Sequence, residues 1–145
     1  SPPDLGVAVK IALEDDKGGE VLRGLIDGIK GFNKAAVPGL ESNVVTVAIR
    51  DGDGVLHGGA VGRIALDSMY VEVVWNDDCA RGKGLGTQAM QMLEAEAKRR
   101  GAAESWLYTM SFQAKPFYEK LGYAQFAELP WDGGKQARHF MRKDL

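Results

Sequence analysis

The stretch Arg81-Gly82-Lys83-Gly84-Leu85-Gly86 places three glycines at alternate positions, with two basic side chains between and before them. Glycine accepts left-handed backbone and lets a ligand approach the main chain closely. On the C-terminal side, Ala89, Met90, Leu93 and Ala97 share one helical face, which predicts a helix from Thr87 to Arg100. Lys98, Arg99 and Arg100 followed by Gly101 suit its end. On the N-terminal side, Met69 to Trp75 reads as a strand, and residues 76–80 are polar. A strand, a glycine loop and a helix N-terminus in succession form an anion site that suits a pyrophosphate. The spacing G-x-G-x-G is neither a Walker loop nor the G-x-G-x-x-G of a dinucleotide fold. On these six residues alone, a glycine-rich turn with solvated basic side chains is the other reading.

The rest of the chain supplies the setting. Leu5, Val7, Val9, Ile11 and Leu13 alternate at period two, which predicts a half-buried strand. Val21, Leu22, Leu25, Ile26 and Ile29 lie on one helical face. Gly31-Phe32-Asn33 and Val37-Pro38-Gly39 interrupt that pattern, so a helix, a loop and a short second helix are expected. Val44 to Ile49 and Val55 to Leu66 read as strands around the hairpin signal Asp51-Gly52-Asp53-Gly54. The first half is thus an antiparallel meander, which disfavours a doubly wound fold. Beyond the long helix, Glu104 to Thr109 predicts a strand and Ala114 to Leu121 a short helix. Tyr123 to Leu129 and Arg138 to Met141 predict two further strands.

Composition narrows the function classes. The 145 residues suit a single domain spanning 1–145. Lys plus Arg is 18 and Asp plus Glu is 20, a net charge of −2 that argues against a nucleic-acid surface spread over the chain. No apolar run is long enough to span a membrane, and the opening residues show no secretory-leader pattern. One cysteine, Cys79, and two histidines, His57 and His139, offer neither a disulfide nor a metal-ligand pattern, so no metal and a cytoplasmic setting are expected.

Two motifs together carry a resemblance. Arg81-Gly82-Lys83-Gly84-Leu85-Gly86 resembles the R/Q-x-x-G-x-G/A motif of the GNAT N-acetyltransferase family. Phe117-Tyr118-Glu119-Lys120-Leu121-Gly122-Tyr123 resembles its F-Y-x-K-x-G-[FY] segment. Thr109-Met110-Ser111-Phe112-Gln113-Ala114 is similar to T-F-S-F-Q-A in a group of small bacterial acetyltransferases of undefined substrate. Relatives in that group often carry D-Y-P-x-G-H where this chain has Trp131-Asp132-Gly133-Gly134-Lys135-Gln136. The order of predicted elements follows the family from the first strand to the last. The resemblance implies an α+β fold: a central mixed, mostly antiparallel sheet, splayed in the middle and flanked by helices, with acetyl-CoA in the cleft and no metal.

It also implies roles. Backbone groups of Val74, Trp75 and Asn76 would pair with the pantetheine arm. N–H groups of Arg81, Gly82, Lys83, Gly84, Leu85, Gly86 and Thr87 would hold the pyrophosphate. Ser111 stands where many relatives carry an Asn near the cofactor, and Phe117 belongs to the same cofactor-side segment. Tyr118 matches the tyrosine placed near the thioester sulfur, hence the general acid. An amine must be neutral to attack, so a base is needed. Glu72 shares strand parity with Val74 and is the candidate if that face lines the cleft. Its other reading is a solvated carboxylate.

The remaining candidates read as structural or peripheral. Asp77 and Asp78 belong to the polar turn before the loop. Cys79 has no His in its local sequence and is not read as an acyl-carrying nucleophile. His57 and His139 are read as sheet residues. Phe32, Asn33 and the Pro38 turn lie where acceptor-side loops of the family sit, and Trp131 is an exposed-turn aromatic of the last hairpin and a candidate acceptor contact. The acceptor is read as a small-molecule or peptide amine, and the family leaves a homodimer open. The alternatives are a non-catalytic CoA-binding sensor of the same fold and a nucleotide binder using the glycine loop.

Overall fold

Glycine turns and β-branched runs dictate most of the architecture. The computed structural model describes residue 6 and residues 8–145. The chain divides into two compact units, one ending at Pro38 and one running from Gly39 to Leu145.

The first unit carries helix α1, Glu20–Ala36. The Asp16 carboxylate accepts the Val21 and Leu22 N–H groups at 2.8 and 3.0 Å, which satisfies two donors that the first turn leaves open. The helix runs unbroken through Gly31 and Asn33, so the expected loop and second helix merge into it. A glycine costs a helix only about 1 kcal/mol, and the apolar spacing continues to Phe32. The chain leaves the helix only at Val37, ahead of Pro38. Val9, Ile11 and Leu13 are exposed and form no strand. Leu5 and Val7 of that expected strand lie outside the described residues. Alternation marks a pleat, but a strand needs a hydrogen-bonded neighbour, and these three residues have none among the described residues.

The second unit is α+β. Its strands are β1 (Asn43–Arg50), β2 (Leu56–Ala65), β3 (Ser68–Asn76), β4 (Glu104–Met110), β5 (Ala124–Trp131) and β6 (Gln136–Asp144), in the spatial order β1-β2-β3-β4-β6-β5. Every pairing is antiparallel except β3 with β4. Helix α2 (Leu85–Arg99) makes the crossover between those two parallel strands, as parallel neighbours require. Helix α3 (Lys115–Lys120) follows β4.

Met90, Leu93 and Ala97 of α2 are buried with Ala60, Ile64, Met69, Val71, Leu107 and Met141 of the sheet. Tyr118 and Tyr123 complete the same cluster. At the far end of α2, Arg100 donates to Asn43 Oδ1 at 2.9 Å and ties the helix to β1.

The sheet does not continue evenly across its centre. Ladder pairing between β3 and β4 covers only Ser68, Met69 and Tyr70 against Glu104, Ser105 and Trp106. Beyond Tyr70 the two strands part. A bulge in the β2–β3 pairing coincides with the parting: Gly62 faces Val71 and Val61 faces Val73, which leaves Glu72 as the extra residue.

Candidate active site

The parted strands border a cleft of about 640 Å³. Its walls are residues 70–76 of β3 and residues 107–110 of β4, and the loop before α2 with Phe117 and Tyr118 of α3 complete its lining. Main-chain groups that would otherwise bond across a continuous sheet thus border a space wide enough for a ligand.

The loop end is built by the polar turn. The Asp77 carbonyl accepts Ala80 and Arg81 N–H groups, both at 3.1 Å, and Asp77 Oδ1 also accepts Ala80 N–H at 3.1 Å. Arg81 braces the turn, donating to the Asn76 carbonyl at 3.1 Å and to Asp78 Oδ1 at 2.9 Å. Gly82 and Gly84 both have φ of +73°, left-handed backbone that side chains rarely adopt. Gly84 caps α2 without a side-chain hydrogen bond, and no acidic residue occupies the first turn. The opening N–H groups of α2 and its dipole therefore face the cleft end uncompensated.

Asn76 fixes the spacing between strand and helix. A Cβ on Gly86 would stand 2.6 Å from Asn76 Nδ2, and one on Gly58 would collide with Asn76 Oδ1. The amide is wedged between two positions that only glycine can fill. Its Oδ1 is buried and finds no hydrogen-bond partner among the described residues.

Tyr118 lines the cleft and is 8% exposed. Its ring meets Phe117 edge-on at 5.1 Å and Tyr123 at 6.0 Å. Burial pushes its phenol up, so the hydroxyl stays protonated through the neutral range. The neighbouring Tyr123 is buried against α2, where its hydroxyl donates to Glu94 Oε2 at 2.8 Å. Ser105 Oγ lies 2.8 Å from the Tyr123 oxygen, and Lys143 donates to Glu94 Oε1 at 2.7 Å. Burial pushes the Tyr123 phenol up as well. No sequence pattern flagged this network, because its members lie 11 or more residues apart and on different elements.

The cleft brings together Glu72, Val74, Trp75, Asn76, Arg81, Gly82, Gly84, Leu85, Gly86, Thr87, Phe117 and Tyr118. Lys83 and Ser111 are not among its walls. Ser111 is engaged with the start of β6: its hydroxyl donates to Gln136 Oε1 at 2.6 Å and accepts Ala137 N–H at 3.2 Å.

Strand parity misplaces Glu72. Val74 pairs with buried Ala60 and packs on the core, whereas Glu72 is the bulged residue and its carboxylate meets Arg63. The bulge resets the alternation, so Glu72 and Val74 point to opposite faces. Tyr70, which stacks on Trp106 at 4.4 Å, and half-exposed Tyr108 border the cleft beside Glu72. These aromatic wall residues were absent from the sequence reading.

His57 is also more than a sheet residue. Its two ring nitrogens each lie 2.7 Å from a carboxylate, Nδ1 from Asp77 and Nε2 from Asp51. His57 and Asp77 bring donor atoms within 4.8 Å of the Cys79 sulfur, a juxtaposition the local sequence does not reveal. Both ring nitrogens are already committed to carboxylates.

No helix among the described residues is long and apolar enough to cross a membrane.

Residues 33–123 match the model of the acetyltransferase (GNAT) family. The acetyltransferase Atu2258 of Agrobacterium fabrum is 26% identical over 121 residues, which span 83% of this chain and 88% of that protein. The blasticidin-S acetyltransferase of Streptomyces morookaense is 36% identical over 93 residues, 63% of this chain and 68% of that protein. A solved structure from Agrobacterium tumefaciens superposes with a TM-score of 0.86 at 26% identity, covering 94% of this chain and all of that one. An aminoglycoside 6'-N-acetyltransferase complexed with coenzyme A shares the fold at a TM-score of 0.63 and 19% identity, over 93% of this chain and 97% of its own. With its six-stranded mixed sheet, parted between β3 and β4 and flanked by helices, the chain belongs to the GNAT family of acetyltransferases.

Proposed function

We propose that this protein moves an acetyl group from acetyl-CoA to a primary amine by direct attack within a ternary complex. The observation that carries the reading is the parting of β3 from β4 beside an uncapped helix N-terminus and the buried side chain of Tyr118. The pyrophosphate lies against the N–H groups of Gly82, Gly84, Leu85, Gly86 and Thr87. The pantetheine arm pairs with the freed main chain of Val74, Trp75 and Asn76. The thioester then points toward Tyr118, and the amine enters from the opposite face of the sheet, between Tyr70, Glu72 and Tyr108.

The amine nitrogen attacks the thioester carbonyl carbon and the C–S bond breaks. Glu72 accepts the proton that the amine sheds, while Tyr118 donates its hydroxyl proton to the departing thiolate. Glu72 faces the acceptor mouth rather than the cofactor side, which suits a base. The aromatic rims at Tyr70 and Tyr108 suit a cationic amine, because ring faces attract cations. The acceptor is a small molecule in this reading, in keeping with the relative that acts on blasticidin S.

A non-catalytic CoA-binding module of the same fold is the second reading, favoured by the pairing of Glu72 with Arg63. Radiolabelled acetyl-CoA with a panel of primary amines separates the two. Label appearing on an amine, with release of free thiol, supports the enzyme. Tight CoA binding without transfer across the panel supports the module.

A further inference from the structure

His57 stands outside the cleft, at the start of β2, yet its ring joins the β1–β2 hairpin to the turn that leads into the cleft's loop end. Asp51 Oδ1 accepts the Asp53 and Val55 N–H groups at 2.8 and 3.1 Å and so shapes the β1–β2 hairpin, while its Oδ2 faces His57 Nε2. Asp77 Oδ1 shapes the turn that leads into Arg81–Gly86, while its Oδ2 faces His57 Nδ1. The Asp77 N–H also donates to the His57 carbonyl at 2.7 Å, so main chain and side chain bind the same two residues.

A carboxylate only accepts hydrogen bonds, and a neutral imidazole donates through one nitrogen alone. The ring therefore satisfies both carboxylates only as imidazolium. Loss of its proton sets a lone pair against a negative oxygen and breaks one of the two links. We infer that His57 is a positioning residue: its protonated ring holds the Asp77–Ala80 turn, and through it the loop at 81–86, in the form that binds the CoA pyrophosphate. This rests on the reading of that loop as the CoA site.

The groups facing the ring are Asp51 from the hairpin and Asp77 and Cys79 from the turn. Asp53 lies beside Asp51 in the hairpin, and the Asp78–Arg81 ion pair lies beyond the turn. The Asp51 and Asp77 carboxylates raise the imidazole's affinity for its proton above the ordinary value, and His57 lowers both of theirs. Because the folded imidazole titrates above 6.5, the clamp is complete below that pH and is lost as pH rises through the raised value.

Two measurements test this. First, CoA affinity is followed by calorimetry from about pH 5 to about pH 8, the span in which histidine ordinarily titrates, and onward to higher pH because the His57 value is raised. The wild type is expected to weaken severalfold as pH rises. His57→Gln is expected to bind at the weak level throughout, apart from the change due to the phosphate monoester of CoA itself, which titrates near ~6. His57→Arg keeps a charged donor for both carboxylates and is expected to bind tightly without that slope. Identical pH profiles in wild type and His57→Gln overturn the inference.

Second, the amide signals of Gly82, Gly84 and Gly86 in the free protein are followed by NMR beside the His57 ring signals. The amides are expected to shift at the His57 midpoint, and Asp51→Asn is expected to move both midpoints to lower pH. Amides that ignore the His57 midpoint overturn the inference even where CoA binds. Wild type that binds no CoA at any pH overturns the reading of the loop instead, while coupled midpoints still support the clamp.

Discussion

The Tyr123 hydroxyl donates to Glu94 Oε2 at 2.8 Å, joining the residue ahead of β5 to the buried face of α2. Lys143 on β6 holds the other oxygen of the same carboxylate at 2.7 Å. Glu94 is 7% exposed, so removing either donor leaves a buried oxygen short of a partner. Tyr123→Phe is expected to cost about 1–3 kcal/mol, the usual penalty for leaving a buried acceptor unpaired. Lys143→Met is expected to cost more, about 3–5 kcal/mol, because it leaves a buried charge without its partner. Urea denaturation of the two variants and their double mutant checks the order. Loss of less than about 0.5 kcal/mol in both would mark the network as dispensable.

Gly86→Ala is expected to weaken CoA binding by about tenfold or more, equivalent to ~1.4 kcal/mol. The new methyl would press on the Asn76 amide, which cannot retreat because Gly58 backs it. Overpacking of this kind pushes the helix start away from the strand end. Calorimetric titration with CoA measures it, and unchanged affinity would remove Asn76 as the spacer.

Tyr118→Phe is expected to lower kcat by about 10²–10⁴-fold, the usual contribution of a positioned acid or base. CoA affinity should hold, since the ring still packs between Phe117 and Tyr123. Glu72→Gln is expected to lower turnover in the same range while leaving CoA binding intact, because Glu72 points to the opposite face of the sheet from Val74. Initial-rate kinetics with the best amine of the panel test both. Undiminished turnover in either variant removes that residue from proton transfer.

Glu96 offers a separate pH test. Hydrogen bonds from Arg99 and then Arg100 hold its carboxyl at about 2, below the ordinary 4.5. A depressed carboxyl stabilises the fold above its unfolded value and loses that contribution as pH falls. Stability is therefore expected to fall between about 4.5 and about 2 in wild type, and less steeply in Glu96→Gln. Denaturation curves at stepped acid pH compare the slopes.

How much of this was readable in advance differs from residue to residue. The glycine loop and the helix after it were legible because their signal is local: backbone freedom, apolar spacing and a basic end all fall within 20 residues. The hairpin at Asp51-Gly52-Asp53-Gly54 was legible for the same reason. Glu72 was misplaced because one extra residue in a strand reverses every later side chain, and a bulge leaves no mark in period-two counting. The break expected at Gly31 failed because a single glycine is a small penalty against continuous apolar spacing. Pairs such as His57 with Asp77 and Tyr123 with Glu94 were invisible, since 20 and 29 residues separate their members and only the folded chain unites them.

The three ladder pairs between β3 and β4 make a short fulcrum for two long arms. Six residues separate Tyr70 from Asn76, roughly 20 Å at the strand rise of ~3.3 Å per residue. A tilt of about 3° at the fulcrum moves the arm's tip by about 1 Å over that strand length. The gape of the cleft is therefore set by packing around Met69 and Ser105, which are not among its walls. Substitutions there alter the width of the cleft with its visible walls untouched.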